Sequence, residues 1–283
     1  MYVSSKERRI AILLIVDASQ KQPRPQIRGD APVTKIYLES RYRKFRRGLP
    51  QTIFWCPVCK GDRRRRKGCE KCQGYGKLTK DSVQELISRQ LLPAYRAKKG
   101  KFHGAGREDI DVLMLGRGRP FVFEVVGPRV LDVDLTALRE AIHERSDDAI
   151  EIDPFEPVRR ERIPYWKESL FEKVYLAQVE VAKAPADEFE EGLIGIELNI
   201  AQRTPSRVAH RRADLTRERK VVVQKATKLD ETSFELELRC SHGTYVKEWV
   251  SGEDGRTEPS LPDLLGAECR CRQLDVLEIL TGP

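Results

Sequence analysis

The stretch FHGAGREDIDV, Phe102 to Val112, decides how the rest of this chain is read. A glycine-rich turn leads into Gly106-Arg107-Glu108-Asp109-Ile110-Asp111-Val112, where acidic and apolar residues alternate as at the start of a strand. An aspartate at a loop-to-strand junction, with an arginine two residues before it, can serve as a nucleophile. A carboxylate is ordinarily ionised near neutral pH, and an ion pair keeps it so. The plainer alternative is an aspartate that caps a turn. Asp111 would face the same side of the expected strand and is the second candidate nucleophile.

Working outward, DIDVLML, GRGR and PFVFEVV predict a β-hairpin over 109–127, with glycines at the turn. Upstream, Asp81 as N-cap, Gln84 three residues on, and Val83, Leu86, Ile87, Leu91 and Leu92 at helical spacing predict a helix over 81–97. Pro93 should kink or end it. A short strand is expected at 35–38, and a helix capped by Asp134 over 134–146. After an acidic, proline-containing stretch at 147–164, strands are expected at 171–182, 193–200, 220–228 and 232–240. A helical piece at 260–266 and a strand at 272–280 finish the pattern. Many strands with few, separate helices give an α+β fold with a mostly antiparallel mixed sheet.

Cys56-Pro-Val-Cys59 and Cys69-Glu-Lys-Cys72 are two CxxC pairs nine residues apart, each running into glycine as CPVCKG and CEKCQGYG. Two such knuckles bring four thiolates together in the closed tetrahedral shell of structural zinc. A closed sulfur shell has no open position for a substrate. An iron–sulfur cluster is the chemical competitor, and the knuckle glycines favour zinc. Cys240, Cys269 and Cys271 lack this spacing and read as core residues. Metal-type cysteine spacing, rather than a disulfide framework, points to the cytosol.

The 283 residues carry 52 Lys+Arg against 44 Asp+Glu, and 40% are hydrophobic, enough for a core. That excludes a wholly disordered or low-complexity chain. The longest apolar run, Ile10 to Val16, is seven residues, whereas crossing a bilayer takes about 20. The positive charge is concentrated. Residues 41–67 hold eleven basic residues and one acid, and residues 203–220 hold seven against two. The rest of the chain is net acidic. Concentrated arginine beside Tyr42, Phe45, Phe54 and Trp55 suits a phosphate backbone, although a solvated face is the bland alternative for any one run.

Three segments, in order, resemble motifs of pseudouridine synthases. GREDIDV is similar to their G-R-x-D element, Lys173-Val-Tyr175 to their K-x-Y strand, and Gly243-Thr-Tyr245-Val-Lys247 to their G-T-Y-[IV]-[RK] strand. FHGAGREDID, GRGRPFVFEV, QRTPSRVAHRRAD, SGEDGRTEPSL and RYRKFRRGLPQT narrow the resemblance to the Pus10 family of tRNA pseudouridine synthases, archaeal type, over roughly residues 36–280.

The resemblance implies a pseudouridine-synthase fold and a cofactor-free isomerisation of uridines 54 and 55 in the T-arm loop of tRNA. It implies Asp109 as the catalytic aspartate, Tyr175 and Tyr245 at the uridine, Lys247 as the basic partner of Asp109, and Arg107 as a further motif residue. Residues 35–283 then form the catalytic domain, with the zinc knuckle of Cys56, Cys59, Cys69 and Cys72 inserted at about 54–78. Family members carry an N-terminal RNA-binding domain of the THUMP kind. Residues 1–18 read as its remnant and 19–34, with Pro23, Pro25, Pro32 and Gly29, as a linker. The chain is expected to act as a cytoplasmic monomer on tRNA, with no redox cofactor and no membrane partner. The competing readings are a non-catalytic zinc-knuckle RNA binder on the same scaffold, and a chaperone-like zinc protein. The latter explains neither the second basic segment nor GTYVKEW.

Overall fold

The computed structural model describes residues 33–185, 189–209 and 212–281. The readings of 1–18 as a remnant and 19–34 as a linker lie outside these, except at residues 33 and 34.

Among the described residues, eleven strands form one sheet. They are β1 (Lys35–Lys44), β2 (Lys99–Gly104), β3 (Leu113–Val126), β4 (Ile150–Ile152), β5 (Glu156–Pro157), β6 (Lys173–Val181), β7 (Glu197–Arg203), β8 (Thr216–Lys228), β9 (Ser233–Cys240), β10 (Thr257–Glu258) and β11 (Cys269–Ile279). The order is β10-β7-β8-β9-β6-β11-β3-β1-β4, with β2 also on β3 and β5 on β1. Among the described strands every pairing is antiparallel except β11 with β3, which meet at Asp275↔Leu113 and Val276↔Met114. This short parallel seam divides the sheet in chain order, with β1 to β5 on one side and β6 to β11 on the other. Asp275, buried in the seam, accepts from the Leu113 backbone N–H at 3.1 Å and from Arg47 at 2.7 Å. The α+β class and the mostly antiparallel mixed sheet are as expected.

The hairpin at 109–127 is not formed. Residues 113–126 are one long strand, because Gly116 (φ +56°) and Gly118 (φ +77°) make a bulge within it rather than a reversal. A Cβ on Gly116 would sit 2.0 Å from the Leu277 carbonyl oxygen, and one on Gly118 2.8 Å from that of Tyr42. The glycines therefore serve close backbone approach. Residues 109–112 form a turn ahead of β3, closed by Val112 N–H to the Asp109 carbonyl at 3.2 Å. Asp109 and Asp111 are thus turn residues, not neighbours on a strand face.

Seven helices lie among the described residues: α1 (Val83–Ala94), α2 (Leu135–Ser146), α3 (Arg162–Glu168), α4 (Phe189–Leu193), α5 (Ser206–Ala209), α6 (Val246–Ser251) and α7 (Leu261–Leu265). The cap of α1 is Ser82, whose hydroxyl accepts from Glu85 N–H, and not Asp81, which pairs with Arg89 at 2.5 Å. Pro93 falls in its last turn, where the helix ends. Asp134 caps α2 as predicted, accepting from Thr136 and Ala137. β4 and β5 lie within the acidic, proline-containing stretch at 147–164 and α3 begins there, while α4 takes the beginning of the strand expected at 193–200. The GTYVKEW segment is not a strand. β9 ends at Cys240, Gly243 turns the chain at φ +77°, and buried Val246, Trp249 and Val250 then repeat at helical spacing in α6.

One core runs along the sheet. It joins Leu38 and Tyr42 of β1, Ile87 and Leu91 of α1, Phe121 and Phe123 of β3, Ile142 of α2, Leu236 and Leu238 of β9 and Trp249 of α6. No described helix is long and apolar enough to cross a membrane.

Candidate active site

A cleft of ≈ 570 Å³ opens along the seam. The turn at 106–112 contributes Arg107, Asp109 and Asp111 from one side. Tyr175, Arg207, Tyr245 and Lys247 come from the other. The motifs quoted from distant parts of the sequence therefore meet in one place.

The turn is held from beneath by a buried charge network. Gly106, at φ +78°, lets the chain reverse, and the next residues alternate, sending Glu108 inward while Arg107 and Asp109 stay accessible. The Glu108 carboxylate, fully shielded, lies 2.8 Å from Arg119 Nε and accepts from the Tyr42 hydroxyl at 2.8 Å. Gln51 donates to Tyr42 at 2.8 Å and to the Gly106 carbonyl at 3.0 Å. Lys44, also buried, donates to the Leu49 carbonyl at 2.8 Å and reaches the Asp109 and Ile110 carbonyls at 3.3 Å each. Burial pulls the Lys44 amine down and pushes the Tyr42 phenol up. Charges this deep are retained only when their partners are in place. The network fixes the backbone that carries Asp109.

The Asp109 carboxylate faces the cleft, 40% exposed, 3.5 Å from Arg207 and 3.7 Å from Lys247. Lys247 binds Asp111 more closely, at 2.8 and 3.0 Å. Burial works against the charged Asp111, but the Lys247 hydrogen bond and charge outweigh it and hold that carboxyl below its usual range. Lys247, expected at Asp109 alone, is thus shared between the two aspartates. Arg207, which the sequence marked as part of a basic run and of the QRTPSRVAHRRAD motif but not as a site residue, supplies the closer cation. It is itself paired with the buried carboxylate of Glu248 and lies 5.8 Å from the Tyr245 ring.

Tyr175 stands on β6, in register with Leu238 of β9 and Val276 of β11, and burial pushes its phenol well above the usual range. Tyr245 lies between β9 and α6. Its backbone is gripped at both ends by buried Gln202, which accepts from the Tyr245 N–H at 2.8 Å and donates to its carbonyl at 3.0 Å. Neither Gln202 nor Glu108 was legible as a site residue. Both sit inside the quoted motifs, and their burial was the missing signal.

The four cysteines also come together. Their sulfurs lie within 4.8 Å of one another, with Cys56–Cys69 at 3.7 Å and Cys59–Cys72 at 3.6 Å. Tetrahedral zinc with Zn–S bonds of about 2.3 Å needs sulfurs about 3.8 Å apart, so the donor set fits such an ion. The two knuckles repeat one backbone. Lys60 and Gln73 follow the second cysteine of each pair at φ 53° and 49°, and Gly61 and Gly74 follow them at 74° and 82°. The Cys59 backbone N–H lowers the Cys56 thiol to about 7, while burial raises Cys59 to about 11. The module closes on itself at a Trp55–Lys77 bridge, and its Phe54 lines the cleft.

The family profile described as "Pus10, C-terminal" matches residues 37–280. The chain belongs to the Pus10 family. It is 44% identical over 251 residues to tRNA pseudouridine synthase Pus10 of Methanocaldococcus jannaschii, covering 87% of this chain and 53% of that protein. The proteins of the same name from Methanothrix thermoacetophila and Methanothermobacter marburgensis are 42% and 45% identical, covering 87% and 90% of this chain and 54% and 62% of theirs. The chain thus spans little more than half the length of these relatives. A solved Cbf5-Nop10-Gar1 complex aligns over 70% of the chain at 13% identity and a TM-score of 0.40, a likeness that leaves the fold to be read from the chain's own sheet.

In this Pus10-family chain the basic runs do not act as two uniform surfaces. Arg41, Arg43 and Lys44 belong to β1. Arg43 pairs with Glu151 and Asp153, Arg46 with Asp147, and Arg47 with Asp275. Of that first run, Arg63 to Lys67 on the cysteine module remain exposed. In the second, Arg203 pairs with Asp214, while Arg212, Arg217 and Arg219 line the cleft. Arg211 lies outside the described residues.

Proposed function

We propose that this chain is the catalytic part of a tRNA pseudouridine synthase that isomerises uridines 54 and 55 of the T-arm loop, with Asp109 as nucleophile. The observation that carries the reading is the cleft, in which Asp109 stands among Tyr175, Tyr245, Arg207 and Lys247 in a Pus10-family chain.

A uridine leaves its stack before it can be worked on, and an aromatic face in a basic groove receives it. Tyr175 stacks on the base and Tyr245 borders the ribose. Arg207 and Lys247 hold the Asp109 carboxylate toward the sugar, so that it attacks at C1′ or draws a proton from the ribose. The C1′–N1 bond breaks with its electron pair leaving on the uracil. The base turns and C5 bonds to C1′ as the Asp109–C1′ bond breaks, or as Asp109 returns the proton it drew from the ribose; the C5 proton then departs and N1 takes one up. The product is an isomer of the substrate, so no electrons are exchanged with a cofactor. Arg107 guides the RNA at the rim. Cys56, Cys59, Cys69 and Cys72 hold a structural zinc, from which Arg63 to Lys67 reach the phosphate backbone. The chain works as a cytoplasmic monomer.

The test is incubation with an unmodified tRNA transcript and mapping of pseudouridine. Product at uridine 54 or 55, lost in an Asp109→Ala variant, supports the reading. RNA binding without product at any T-arm uridine overturns it in favour of a non-catalytic binder.

A further inference from the structure

We propose that Lys173 is a further catalytic residue of this cleft, donating a hydrogen bond to a carbonyl oxygen of the target uracil and neutralising the charge that gathers there when the glycosidic bond breaks. The inference rests on the proposed uridine chemistry and assigns that site a group for the departing base.

Lys173 begins β6, two residues before Tyr175 and so on the same face of the strand. It lines the cleft yet is only 7% exposed. Among the described residues its ammonium makes one hydrogen bond, to the Phe171 carbonyl at a long 3.3 Å, and no ion pair. An ammonium offers three donors, so two are left for whatever enters the cleft.

Its surroundings do not supply the missing anion. Arg119 faces it from β3, Cys240 from the end of β9, His242 from the loop beyond, and Tyr175 from its own strand. Arg119 spends its charge on Glu108, 2.8 Å away. Burial keeps the Cys240 thiol and the Tyr175 phenol protonated. Burial, and then the Arg119 charge, bring the Lys173 amine down to about 8. Burial and the Lys173 charge also lower His242, which favours its neutral form. A desolvated cation without a counter-charge is costly and gains most from a ligand that becomes negative.

Uracil is such a ligand. When C1′–N1 breaks, its electron pair passes to N1 and spreads onto O2 and O4. The same pair forms the C5–C1′ bond, the C5 proton leaves, and N1 is protonated. Lys173 stays protonated throughout and is present for the anionic stage. An interaction that strengthens only as charge develops raises kcat and leaves KM nearly unchanged.

The test compares wild type, Lys173→Met and Lys173→Arg on an unmodified tRNA transcript across pH 6 to 9.5. Lys173→Met should lower kcat by about 10²- to 10³-fold with KM within about threefold, and should abolish the alkaline fall in kcat that deprotonation of Lys173 gives wild type. Arginine stays charged across this range, so Lys173→Arg should retain part of the rate without that fall. If wild type forms no pseudouridine, the functional reading itself fails. If wild type is active and Lys173→Met matches it, or loses rate while keeping the alkaline fall, or changes KM alone, this inference is overturned and the functional reading stands. Should Lys173→Met not fold, an alkaline limb unchanged in Lys173→Arg overturns the inference and its disappearance supports it.

Discussion

Lys247 holds Asp111 at 2.8 Å and stands 3.7 Å from Asp109. Asp111 thus acts as a tether that keeps a flexible amine beside the cleft, while Arg207 continues to face Asp109. Asp111→Asn should keep pseudouridine formation within about tenfold of wild type, whereas Asp109→Asn should lose more than about 10³-fold. The opposite order in a transcript assay would move the nucleophile to Asp111.

The Glu108–Arg119 pair beneath the turn is buried on both sides. Removing one partner leaves the other charge uncompensated, so Arg119→Met should cost about 3–5 kcal/mol in denaturant unfolding. Because the two share one network, the Glu108→Gln/Arg119→Met pair should cost less than the two single changes added together. Additive losses would mean the pair is not coupled.

Gln202 satisfies both backbone groups of Tyr245 from a buried position. Gln202→Ala should cost about 1–3 kcal/mol, the range for stranded buried polar groups, and should lower turnover by displacing Tyr245. Unchanged melting and turnover together would remove Gln202 from the support of the site.

Acid sensitivity should concentrate at Glu124. Burial opposes its charge, but Lys35 at 2.7 Å, His103 at 3.1 Å and Lys101 at 3.6 Å bring its carboxyl down from 4.5 to about 2. A depressed carboxylate contributes stability that is complete above its unfolded value and is lost as pH falls toward its folded one. Melting temperature followed from pH 6 down to 3 should therefore fall less steeply in Glu124→Gln than in wild type. Equal slopes would contradict the assignment.

Metal analysis of reduced protein prepared without chelator should find about one zinc per chain. Stripping it, or a Cys59→Ser change, should unfold residues 54–78, since the knuckles bury little else besides Leu78. It should also weaken tRNA binding more than it lowers the thermal stability of the sheet. Retained binding after complete metal loss would separate the module from RNA contact.

The sequence disclosed which residues share the cleft more readily than the path of the backbone. The CxxC knuckles were legible because they are local, so spacing alone brings the thiolates together. Asp109, Tyr175, Tyr245 and Lys247 were legible as motif members, and the fold places them in one cleft. Their local structures were misread where glycine has two uses. In GRGR, glycine permits close approach to Leu277 and Tyr42 instead of a turn, and in GTYVKEW it ends a strand before a helix. The basic runs misled because charge counting cannot tell Lys44, buried under the turn, from Arg65, exposed on the module. Arg207 and Gln202 depend on contacts across 98 and 43 residues, which no local pattern reports.

The parallel meeting of β3 and β11 gives the chain a check on its own assembly. Asp109 comes from the part of the chain laid down first, and Tyr175, Arg207, Tyr245 and Lys247 from the part laid down last. Until Leu113 and Met114 register against Asp275 and Val276, close to the final residues of the described sheet, the ingredients of the cleft are strangers to one another. A nascent or half-docked chain can already display its basic loops, but it does not yet have the cleft.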